Sequence, residues 1–154
     1  MLIFSAVLSI LVAASPVADD KPVAKPQGDL GRLQGTWSAT IVKDVDMIMT
    51  FDGDQVEMIR LTPNDLQKKT VLRGSCRLDE TSTPKVLHLI KGKTDGTDVP
   101  DTSALYALDG DSFRMYPDRP GADRPTDLKK VDPKSPLLLV FKRIPPAESK
   151  PDGK

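Results

Sequence analysis

A chain of 154 residues, 38% hydrophobic and 29% charged, is long enough for one domain whose core needs no staple. Lys+Arg and Asp+Glu stand at 22 each, which removes the bulk charge that nucleic acid or an anionic membrane surface calls for. A single Cys excludes an internal disulfide, a single His excludes multi-histidine metal sites, and 19 Asp with 14 Pro and 10 Gly favour turns over long helices.

Residues 2–14 form an uncharged run of apolar and small residues, followed by Ser15, Pro16, Val17 and Ala18. That length suits a secretory signal peptide over 1–18, with cleavage after Ala14 or Ala18. It falls short of the roughly 20 apolar residues of a membrane span. The expectation is an exported protein (periplasmic, cell-envelope or secreted) with no integral membrane span once the signal is removed. Residues 19–28, DDKPVAKPQG, read as a proline-containing linker, and 145–154, PPAESKPDGK, as a tail of the same character. The domain is expected over 29–144.

Eight strands are expected within it, over 35–43, 45–51, 55–61, 70–78, 85–91, 103–108, 112–116 and 137–144. Period-two faces support several of them. Trp37, Ala39 and Ile41 share one face, as do Leu72, Gly74, Cys76 and Leu78, then Phe113 and Met115, then Leu137, Leu139, Phe141 and Arg143. Asp52-Gly53 and Asp109-Gly110 sit between such runs and predict type I′ hairpin turns. One or two helical turns fit 30–33 and 62–69, with Asp29 and Thr62 as caps. Short strands in a sequential meander predict an all-β fold: an eight-stranded antiparallel up-and-down barrel, since closure removes exposed edges.

Leu33-Gln34-Gly35-Thr36-Trp37 resembles the Gly-x-Trp opening of lipocalin-like barrels, in which the Trp closes one end and an Arg of the last strand packs across it. Arg143 stands on the last expected strand, so Trp37 and Arg143 are the expected barrel-closing structural pair, joined by a cation–π contact. A wider set comprises residues 30–37, Leu108-Asp109-Gly110-Asp111, Pro120-Gly121-Ala122-Asp123-Arg124-Pro125-Thr126 and residues 138–143. Together these resemble the small exported lipocalin-like domains abundant in planctomycete bacteria, a family without an established activity. The resemblance implies fold and export, and no functional residue. Members often carry a Cys just before the Pro-Gly loop, where this chain has Tyr116-Pro117-Asp118.

His88, between Leu87 and Leu89, is the type of residue that ligates haem iron, but the reading favoured is an ordinary strand His. Cys76 reads as a buried apolar-like side chain, with an intermolecular disulfide left open. Asp52/Asp54 and Asp109/Asp111 are turn residues that do not extend into a calcium loop. Residues 117–136 hold five prolines and alternating charges, a lid or flank of the barrel. No catalytic residue, cofactor or metal ligand is therefore expected. The leading expectation is a non-catalytic barrel whose partner is a small apolar ligand, with Met58, Cys76, Leu89, Tyr106, Phe113 and Met115 lining its interior or mouth. The alternative is a protein-interaction module of the protease-inhibitor kind, acting through its surface and the arm at 19–28. No nucleic acid is expected as a partner.

Overall fold

The computed structural model describes residues 27–43, 45–62, 65–121 and 123–146, with backbone alone at 65–70. The expected signal peptide, all but the last two residues of the linker and all but the first two of the tail lie outside the described residues.

One helical segment, α1 (Gly28–Leu33), precedes β1 (Gly35–Val42), β2 (Val45–Asp52), β3 (Gln55–Thr62), β4 (Asp65–Asp79) and β5 (Lys85–Thr94). Then follow β6 (Thr97–Asp98), β7 (Thr102–Asp109), β8 (Ser112–Pro117) and β9 (Leu139–Ile144). Every pairing is antiparallel and runs β1–β2–β3–β4–β5–β7–β8–β9, with β9 returning to β1 through Trp37↔Arg143 and its neighbours. The eight-stranded up-and-down barrel is closed; β6 pairs with β5 alone.

Alternation makes the inside. Trp37 and Ala39, Met49 and Phe51, Val56 and Met58, Leu87 and Leu89, and Phe113 and Met115 are buried on one face of their strands. Phe113 sits at the centre of a ring cluster, with centroids 5.8 Å from Trp37, 6.0 Å from Phe51, 6.4 Å from Tyr106 and 5.5 Å from Phe141. Edge-on and tilted arrangements at these distances are favourable beyond the area they bury. This cluster fills the half of the barrel nearest α1. A smaller apolar cluster lies outside the wall, where Leu128 packs on Val86 and Leu105, flanked by Tyr116 and Val131. The proline-rich connection is therefore a flank, and it covers the outer face of β5 and β7.

Three local expectations are corrected. Asp52 pairs with Gln55 and Asp109 with Ser112, so the two-residue loops are Gly53-Asp54 and Gly110-Asp111. Only the glycines have positive φ, 61° and 54°, which is the pattern of type II′ turns, not type I′. Positive φ at both loop positions, 50° and 80°, occurs instead at Asp95-Gly96 in the β5–β6 hairpin. The stretch expected to be helical at 62–69 is strand from Asp65, because its backbone pairs with β3 through Thr62↔Asp65, Arg60↔Lys69 and Ile59↔Thr70. Pairing overrides a local helix signal. Asp29 is not a cap: Gln27 occupies that position without a side-chain bond, and Asp29 is buried inside the segment.

Candidate functional site: the two ends of the barrel

One end of the barrel is sealed. Trp37 is wholly buried, and its Nε1–H donates to the Leu33 carbonyl at 2.7 Å. The Arg143 guanidinium carbon lies 4.1 Å from the indole centroid. Arg143 Nη1 donates to the Gln34 carbonyl at 2.7 Å, Nη2 donates to the Arg32 carbonyl, and Nε donates to Asp111 Oδ1 at 3.0 Å. The carbonyls that a helix end leaves without partners are thus taken by side chains from β1 and β9, and α1 becomes a plug.

The other side of that plug is ionic. Asp29, 5% exposed, accepts hydrogen bonds from Lys85 Nζ at 2.6 Å, Tyr106 Oη at 3.1 Å and Arg32 Nη1 at 3.1 Å. Its N–H donates to Glu80 Oε1 at 3.0 Å. Gly28, at φ 64°, passes so close to Glu80 that a Cβ there would fall 2.5 Å from Oε1. Burial works to raise the Asp29 carboxyl, but the Lys85 and Tyr106 hydrogen bonds, with the Lys85 and Arg32 charges, outweigh it and hold the group below its ordinary 3.8. Burial first, then the Asp29 charge, push the Tyr106 phenol well above its ordinary value. A depressed carboxylate adds stability that is present above its unfolded value and is lost as pH falls through the folded one. Asp29→Ala should therefore cost about 1–3 kcal/mol at neutral pH, chiefly through the buried Tyr106 hydroxyl left unpaired, with Lys85 half in water contributing less. In urea titrations the gap between the variant and the parent should shrink as pH falls below the ordinary 3.8 and on through the depressed value. A gap that stays constant throughout acidification to the point of unfolding would show that the charge of Asp29 has no part in holding α1.

The opposite end is open. A cavity of about 330 Å³ enters the barrel there, walled by Met47, Met58, Leu89, Ala104, Met115 and Leu139 and rimmed by Thr102, Ser103, Pro117, Asp118 and Arg119. Three thioethers, from Met47 of β2, Met58 of β3 and Met115 of β8, give it a soft, adaptable wall. Met58, Leu89 and Met115, of the six side chains expected to line the interior, stand in this cavity. Cys76, Tyr106 and Phe113 are also inward and buried, but they belong to the packed core between the cavity and the plug. Met47, Ala104, Leu139 and the rim residues were not among those six, although Met47 lies two residues from Met49 on the same face of β2 and Leu139 shares the expected inward face of the last strand.

Cys76 is 4% exposed, and burial, then the charge of Asp54, push its thiol up to about 11. It stays protonated at neutral pH, and its burial keeps it from pairing with a second folded copy. His88 is half-exposed on the outer face, opposite Arg77 of β4 and Ser103 of β7, away from the cavity. The Asp52/Asp54 and Asp109/Asp111 pairs stand at hairpins of the sealed end, where Asp111 is engaged by Arg143. Among the described residues, no three His, Cys, Asp or Glu side chains are grouped to hold a metal ion, and no helix is long and apolar enough to cross a membrane.

The chain matches no protein-family model, no curated protein and no solved structure.

Proposed function

We propose that this protein is an exported, non-catalytic binding protein that takes a small, largely apolar molecule into the open mouth of its barrel. The observation that carries the reading is the contrast between the two ends. One is plugged and packed with rings; the other keeps an apolar cavity of about 330 Å³, at the lower end of the range of small-molecule sites. Export rests on the apolar run at 2–14. The protonated thiol of Cys76 and the outward position of His88 support a binding role over a chemical one.

Leu89 is 9% exposed at the cavity wall, so Leu89→Trp fills the mouth from a site that can swing toward solvent. An apolar fluorescent naphthylamine should bind the parent and lose at least about tenfold in affinity to the variant, with a stability cost of only about 1–3 kcal/mol from overpacking. Binding unaffected by the substitution would put the probe elsewhere and reject the reading.

A further inference from the structure

We infer that the molecule taken into the mouth is an amphiphile with a carboxylate head, received at the rim by Arg119; this rests on the binding role proposed above. The apolar cavity does not end at its rim. Thr102, Ser103, Asp118 and Arg119 also line a second, polar hollow of about 430 Å³ that continues outward over Asp101 and Pro120. An apolar well that opens onto a polar shelf fits a molecule with one end of each kind.

The charges on the shelf settle which head is matched. Asp118 Oδ2 accepts from Arg124 Nη1 at 3.4 Å and from the Ser103 hydroxyl at 3.3 Å, so its charge already has a cation of its own. Asp101 Oδ1 accepts the Lys91 N–H at 3.0 Å, which ties it to the turn at the end of β5. Among the described residues no carboxylate lies within ion-pair distance of Arg119, the one cation that borders both hollows. A planar guanidinium receives a carboxylate through two parallel hydrogen bonds. The two aspartates on the same shelf would repel a head carrying two negative charges, such as a phosphate monoester, and a single carboxylate meets less of that repulsion. The volume of the well, about 330 Å³, suits a chain of medium length.

The test compares decanoate with decanol, equal in chain and different only at the head, by displacement of the naphthylamine probe from the purified protein at low salt. The parent should prefer the acid about five- to tenfold, a value between a screened surface pair and a desolvated charged hydrogen bond. Arg119→Gln should remove that preference by weakening the acid about five- to tenfold more than the alcohol and, being on an exposed side chain, leave the melting temperature unchanged. Acid and alcohol binding equally to the parent would overturn the carboxylate while the pocket stands. A preference that survives Arg119→Gln would overturn the role of Arg119. Displacement by neither compound would remove the pocket reading along with this one.

Discussion

Trp37→Ala should lower the unfolding free energy by about 3–5 kcal/mol and the melting temperature by about 10–20 °C, one of the two largest losses expected of a single substitution here. Three contacts go at once. The indole leaves a void beside Phe113, the Leu33 carbonyl loses its donor, and the Arg143 guanidinium loses the ring beneath it. A cation–π contact accounts for about 0.5–2 kcal/mol of this, so Arg143→Ala should cost visibly less. Trp37→Phe, which keeps most of the ring and loses the N–H, should fall between. Trp37 is the only Trp in the chain, so unfolding of the variants must be followed by circular dichroism rather than fluorescence. A loss below about 1 kcal/mol for Trp37→Ala would mean that the plug is held by the Asp29 cluster alone.

Phe113→Ala should cost a similar amount, about 3–5 kcal/mol, for a different reason. Phe113 makes no hydrogen bond; its ring is wholly buried and meets four other rings. The void left behind would be apolar and dry, the kind of cavity that takes up benzene. Benzene should accordingly raise the melting temperature of Phe113→Ala and leave that of Trp37→Ala nearly unmoved, because the latter also loses a hydrogen-bond donor that benzene cannot replace. Equal rescue of both would contradict the distinction drawn between them. Since the two rings touch, the double variant should lose less than the sum of the singles.

The barrel was legible because its signals are local and repeated. Period-two faces in β1, β4 and β8 and the glycines of two hairpins are all contained within a few residues of one another. What escaped the sequence depends on partners far along the chain. Asp29 looks like a cap until Lys85 and Tyr106, 56 and 77 residues away, are seen to converge on it. The beginning of β4 looked helical because its strand character comes from β3, not from its own residues. The two loops lie one residue further on than Asp-Gly suggested, and their type changes with them, since only the cross-strand register says which two residues form the loop. At the mouth, Met58, Leu89 and Met115 could be named from alternation, whereas Arg119 could not: its place follows from a connection that folds back over the rim.

A barrel that closed evenly would offer no strand to a neighbouring molecule, and this one does not close evenly. β5 leaves β7 at Leu89↔Thr102 and continues with β4 as far as Arg73↔Lys93, so the last residues of β5 lose their β7 partner and keep only β4. A bare strand edge of that kind is a template for joining one copy to the next. β6 folds back over it through Lys93↔Asp98 and Thr94↔Thr97, with the Lys93 and Asp98 side chains paired at 3.3 Å. The new outer edge is two residues long and bears charge, too short and too well hydrated to recruit another strand. The small hairpin at Asp95-Gly96 thus denies a neighbouring copy the far end of β5 as a place to join sheets, which matters most when the protein is concentrated.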